Sequence, residues 1–142
     1  MVKKKEPDVS VQDQLRALFK GLKNKVRLVL FTDAAKKEPY NQAAEEILQI
    51  FKEAASVFTV ETRDLKDDLA RSYNINASPT ILLDPDKYNI RWLGAPLHEE
   101  SRGFIEGLVM AGMGRADLSE DSTKILDAID EKRHLTIFTS PT

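Results

Sequence analysis

Few side chains in this chain have the chemistry to catalyse anything. Lys37 and Tyr40 sit close together in sequence, and a lysine of lowered pKa beside a phenol is a known acid–base pairing. No cofactor motif and no partner acid or base accompanies them. The plain reading is a solvated lysine and a first-turn tyrosine packing over a loop. Glu38, next to Pro39, suits a helix N-terminus through the macrodipole. Glu99-Glu100 reads as a capping charge pair rather than as catalytic carboxylates. The two histidines, His98 and His134, are far apart in sequence, so neither a zinc site nor a histidine-based triad is expected. Gly112-x-Gly114 follows a helical stretch and reads as a stop signal, not a phosphate loop. The chain has no cysteine. Disulfides, thiolate metal sites and Fe–S clusters are thereby removed, and so is the thiolate that disulfide exchange requires. No cofactor and no metal is expected.

The bulk properties describe a folded domain. The 142 residues are 42% hydrophobic and 31% charged, with a net charge of −2, which is enough chain for one compact core. Near-neutral charge gives no reason to expect nucleic acid, and the one basic run, Lys3-Lys4-Lys5, reads as a solvated terminal tail. No apolar stretch approaches bilayer length and no signal peptide is visible, so no membrane partner and a cytoplasmic location are expected.

Periodicity supplies the elements. Residues 1–9 read as a frayed lead-in. Ser10 with Asp13 resembles a capping box, followed by Val11, Leu15, Leu18, Phe19 and Leu22 at helical spacing. Val26 to Thr32 reads as a buried strand. After a polar loop, Pro39 suits the first position of a helix whose apolar face is Ala44, Ile47, Leu48, Phe51 and Ala55. Val57 to Glu61 is a second strand, joined to the first by a right-handed crossover. A short helix is expected over Leu65–Tyr73, then a strand over Thr80–Leu83. A turn at Asp84-Pro85-Asp86-Lys87 leads to a hairpin strand carrying Ile90 and Trp92. A helix over His98–Met110 completes an α/β sheet with helices on both faces.

The remainder repeats the beginning. Ser119–Lys132 is amphipathic and His134–Thr139 has strand character. Leu18, Leu22, Leu28, Leu30, Phe31 and Thr32 recur as Ile125, Ile129, Leu135, Ile137, Phe138 and Thr139, each offset by 107 positions. The pattern predicts residues 10–115 as one fold and 116–142 as the helix and strand that begin a second copy, with the chain stopping where that second domain begins.

On these residues the chain resembles the N-terminal half of the tandem thioredoxin-fold proteins. These include the glutaredoxin-like protein disulfide oxidoreductases and the N-terminal domain of the F component of alkyl hydroperoxide reductase. The resemblance is carried by Val26–Phe31, Asn41-Gln42, Leu69–Ile75 leading into Ser78-Pro79-Thr80, Ile90–Pro96 and the closing Phe138–Thr142. It implies a thioredoxin-like fold with a four-stranded mixed sheet, and a cis Ser78–Pro79 bond. It also implies a groove where the Ser78 backbone can pair with an extended peptide. Counted from Phe31, the family's Cys-x-x-Cys falls on Lys37-Glu38-Pro39-Tyr40, so both sulfur positions are lost. In the second copy the active cysteines would follow Thr142.

Two functions follow as expectations. In the first, the chain is the redox-inactive half of a thiol–disulfide oxidoreductase serving cell redox homeostasis. It has no catalytic residues of its own and acts as scaffold or substrate-docking half for a cysteine-bearing second domain. Residues 119–142 would then be covered by that domain or by self-association. In the second, it is a stand-alone module that binds extended peptides at Ser78, Pro79 and Thr80. A different enzyme using Lys37 or Tyr40 carries little weight.

Overall fold

The computed structural model describes residues 10–36 and 38–140. The N-terminal tail with Lys3–Lys5, as well as Lys37, Pro141 and Thr142, lies outside the described residues.

Helix α1 (Val11–Phe19) starts as its capping signal predicts. The Ser10 hydroxyl accepts from the Asp13 N–H at 3.2 Å and donates to the Asp13 carboxylate at 2.7 Å. Gly21, at φ +95°, turns the chain toward β1 (Val26–Thr32). β1 is the inner strand between parallel β2 (Phe58–Asp64) and antiparallel β3 (Thr80–Leu83), with Leu28 opposite Val60 and Leu83, and Leu30 opposite Thr62 and Ile81. A parallel neighbour needs a crossover, which α2 (Pro39–Ala54) supplies. β3 turns at Asp84–Lys87, where the Lys87 N–H donates to the Asp84 carbonyl at 3.0 Å, and pairs antiparallel with β4 (Ile90–Leu93). The strand order is β2-β1-β3-β4.

Both faces of the sheet are covered, which is why β1 is a nearly continuous apolar run rather than an alternating one. Leu28 and Leu30 point into the larger layer, against α1, α2 and α4 (Glu99–Met113). Val29 and Phe31 point the other way, with Leu82, Ala70 and Ile75, under the short α3 (Asp68–Ser72). Aromatic rings knit the larger layer. Phe19 meets Phe58 edge-on at 4.8 Å, Phe51 stacks on Phe104 at 5.9 Å, and Trp92 meets Phe104 edge-on at 5.2 Å. Trp92 therefore packs under α4 within this fold.

Helix α4 runs one turn past its expected end, to a left-handed cap at Gly114 (φ +72°). Gly112 does more than stop the helix. Its carbonyl accepts from the Lys23 and Asn24 N–H groups at 3.3 and 3.1 Å, tying the α1–β1 connection to α4. A Cβ at this position would lie 2.8 Å from Leu22 Cδ1 and 3.1 Å from its Cβ. Because the second of these atoms is fixed by the backbone, Gly112→Ala should destabilise by about 1–3 kcal/mol, read as a lower urea midpoint at unchanged slope.

The C-terminal segment departs from expectation. Helix α5 covers only Glu120–Asp127, not Ser119–Lys132, although Ser119 does cap it, accepting from the Ser122 N–H at 3.2 Å. The strand expected over His134–Thr139 is not formed. A strand is defined by its ladder, and among the described residues no strand lies beside these. Leu135, Ile137 and Phe138 are instead 84%, 76% and 92% exposed. Among the described residues no helix is long and apolar enough to cross a membrane.

Candidate functional site

The residues singled out from the sequence meet at one end of the sheet, where β1 stops and β3 begins. The Ser78–Pro79 bond is cis. Pro79 is buried, and its carbonyl accepts from the Gly94 N–H at 2.8 Å, which brings the end of β4 alongside. Thr80 is buried at the start of β3, and its hydroxyl donates to the Ala77 carbonyl at 2.7 Å. The main chain of Ser78 makes no backbone hydrogen bond to the described residues.

The Ser78 side chain ties three elements together. Its Oγ accepts from the Asp33 N–H, just past β1, at 3.0 Å. It donates to Oδ1 of Asn41, in the first turn of α2, at 2.7 Å. Asn41 is one of few buried polar residues, and its backbone N–H donates to the Glu38 carbonyl at 3.1 Å. With both roles of its hydroxyl occupied and no histidine among its partners, Ser78 is held as a strut and is not activated as a nucleophile.

The loop between β1 and α2 is pinned by carboxylates. Asp33 Oδ1 accepts from the Ala35 N–H at 3.0 Å, and the Asp33 carbonyl accepts from the Lys36 N–H at 3.0 Å, closing a tight turn. Asp64, at the end of β2, accepts from the Lys66 N–H at 2.8 Å and from the Ala34 N–H at 3.1 Å. These two backbone donors, Lys66 foremost, hold its carboxyl below the usual aspartate range. Because the folded state favours the ionised form, this contribution to stability is complete above the unfolded value near pH ~4 and disappears as the pH falls through the lower folded value. Asp64→Asn should therefore reduce the loss of stability between pH 7 and pH 3 relative to wild type, measured as the shift in urea midpoint across that interval.

Of the four residues expected to match the Cys-x-x-Cys stretch, with Lys37 and Tyr40 in the two sulfur positions, Lys37 lies outside the described residues. Glu38 is the N-cap residue of α2 and Pro39 its first residue, as the sequence predicts, but the Glu38 side chain makes no capping bond. Tyr40 is 58% exposed, so it does not pack over the loop as expected. His98 precedes α4 at φ +51°, and His134 Nε2 lies 3.0 Å from the Thr136 hydroxyl. Glu100, beside Glu99 in the first turn of α4, accepts from the Thr139 hydroxyl. Among the described residues no group of three or more acidic or histidine side chains could hold a metal ion.

Strongly paired charges gather elsewhere. Arg27 bridges Glu61 at 3.0 Å and Asp86 at 3.2 Å, while Arg63 bridges Glu61 and Asp67. Glu61 is held below its usual pKa first by Arg63 and then by Arg27. These pairs are solvent-accessible and satisfied by one another, which marks a structural network rather than a poised acid or base. Sequence reasoning did not single out Asp33 or Asp64. An aspartate at the end of each parallel strand was the available signal.

A parallel βαβ unit, followed by a short helix, a β-hairpin opened by a cis proline and a closing helix, defines a thioredoxin-like fold. Solved structures agree. A protein disulfide oxidoreductase from Aeropyrum pernix K1 superposes with a TM-score of 0.72 at 17% identity, over 85% of this chain and 55% of its own. The alkylhydroperoxide reductase AhpF of Enterococcus faecalis gives 0.71 at 24% identity, over 82% of this chain and 58% of its own. The NTD_N/C domain of AhpF from the same organism gives 0.68 at 24% identity, over 80% and 56%. The chain thus spans a little over half the length of each. No protein-family model matches it, and no curated protein does.

Proposed function

We propose that this chain is a non-catalytic thioredoxin-like domain of a disulfide oxidoreductase, acting in cell redox homeostasis as scaffold or substrate-docking half for a second, cysteine-bearing fold. One observation carries the reading. The mouth that houses a cysteine pair in sulfur-exchanging relatives is kept here, with its cis proline and a Ser78 backbone free of pairing, in a chain without cysteine. Such a surface can hold an extended polypeptide through main-chain hydrogen bonds, while electrons move elsewhere. The apolar residues left exposed beyond α5 support the same reading, because Leu135, Ile137 and Phe138 repeat the pattern of β1 and pair with no strand among the described residues.

The coding sequence past codon 142 tests the role directly. A Cys-x-x-Cys within the first few codons supports the docking half. A stop codon turns the reading to a stand-alone peptide-binding module at Ser78, Pro79 and Thr80. In either case, titrating the 15N-labelled chain with extended peptides should shift the amides of residues 33–36, 78 and 94–95 first. Shifts confined to other surfaces would defeat the docking role.

A further inference from the structure

Among the described residues the sheet has two open edges, and the one at β2 lies beside uncompensated charge. Along it an open groove of about 730 Å³ runs between β2 and α2, floored by Val60 and Thr62 and walled by Ile50, which is partly exposed. Glu45, Glu46 and Glu53 rim it, and all three are exposed. Glu46 and Glu53 accept from the neutral amides of Gln42 and Gln49 at 2.8 Å, and among the described residues no cation pairs with any of the three. The charges on the other face of β2 are satisfied. Arg27 and Arg63 both bridge Glu61, and Arg63 also reaches Asp67.

Two repeats set what fits this groove. Among the described residues β2 pairs with β1 alone, so its outer main-chain N–H and C=O groups form an edge that another strand can extend. In an added strand every second side chain turns to the face of Val60 and Thr62, and these side chains recur about every 6.7 Å. Four residues of α2 rise about 6 Å, the step from Glu46 to Ile50 and from Glu45 through Gln49 to Glu53. The two spacings match. Three successive groove-facing side chains therefore meet the Glu45–Glu46 pair, then Ile50, then Glu53. Pairing β2 with β2 of a second copy would set two glutamate rims against each other, so self-association is disfavoured here.

We infer that the outer edge of β2 binds a separate polypeptide as an added strand, and that the segment it selects reads basic–x–apolar–x–basic, with Lys or Arg at the outer positions. Main-chain bonds along the edge supply affinity, the apolar side chain packs on Ile50 and Val60, and the two cations meet the glutamate rim. β1 lies between this edge and the strand that Ser78 leads into, so the surface is distinct from the mouth and does not depend on the docking role proposed there.

Titrating the full 15N-labelled chain with acetyl-Thr-Lys-Thr-Val-Thr-Lys-Thr-amide at low salt should shift the amides of residues 45–53 and 59–63. The same peptide with Glu for both Lys, or with Ser for Val, should bind about fivefold more weakly or worse. Glu45→Lys with Glu53→Lys should weaken the basic peptide about tenfold and turn the preference to the acidic one, because the complementarity reverses. Both positions are exposed, and an unchanged urea midpoint shows that the variant is folded. No shift along β2 at millimolar peptide, equal binding of basic and acidic peptides, or outward β2 amides already protected from exchange in the free chain would each overturn the inference. Shifts at residues 33–36, 78 and 94–95 report on the mouth alone, so the two readings fail separately.

Discussion

Ser78→Ala will lower the stability of the fold by roughly 2–3 kcal/mol, far more than removing one half-buried hydroxyl from a loop would suggest. The reason is what the hydroxyl leaves behind. Asn41 Oδ1 is buried beneath the start of α2 and loses its donor, while the Asp33 N–H loses its acceptor. Two controls separate this from a simple loss of packing. Ser78→Thr keeps the hydroxyl and should retain most of the stability. Adding Asn41→Leu to Ser78→Ala removes the orphaned partner and should recover part of the loss, because replacing both members of a buried polar pair is less costly than replacing one. Urea unfolding of the wild type and the three variants at pH 7 gives every value needed. If Ser78→Ala alone costs under about 0.5 kcal/mol, within the range of an ordinary surface substitution, the hydroxyl is not a strut. The same variant should broaden peptide-induced shifts at residues 33–36, since the loop then loses its tie to β3.

Phe104→Ala will be the more damaging change, at about 3–5 kcal/mol. Phe104 is almost wholly buried at the centre of the larger layer, stacked on Phe51 of α2 and met edge-on by Trp92 of β4. Truncation opens a cavity between three elements that are fixed by the sheet and cannot collapse into it. A cycle with Phe51→Ala should show a coupling of about 0.5–1.5 kcal/mol from the ring contact itself. Trp92 fluorescence offers a local probe, because its ring edge would face the void. An unfolding midpoint unchanged by Phe104→Ala would mean that α4 does not seal the sheet.

Features set by neighbouring residues could be read from the chain directly. The buried run Val26–Thr32, the proline-started helix at Pro39, the Ser10 cap and the turn at Asp84–Lys87 all belong to this group. Capping bonds, proline geometry and apolar periodicity act over a few positions. Element ends were less legible. α3 shrank to Asp68–Ser72 because Asp67 caps it and leaves Leu65 outside, and α4 lengthened because Gly112 packs against Leu22 rather than breaking the helix.

The clearest contrast lies in two stretches of nearly the same residues. Leu28, Leu30, Phe31 and Thr32 form an inner strand, while Leu135, Ile137, Phe138 and Thr139 form none. By itself the sequence determined an absence and a pattern. No thiolate chemistry is open to a chain without cysteine, and alternating apolar residues can form a strand where partners exist. Only the tertiary structure decided which copy of that pattern has partners. It likewise decided that Asp33, Asn41 and Ser78, remote in sequence, share one hydroxyl. A ladder and a buried polar network are properties of distant segments brought together, and local pattern does not encode that meeting.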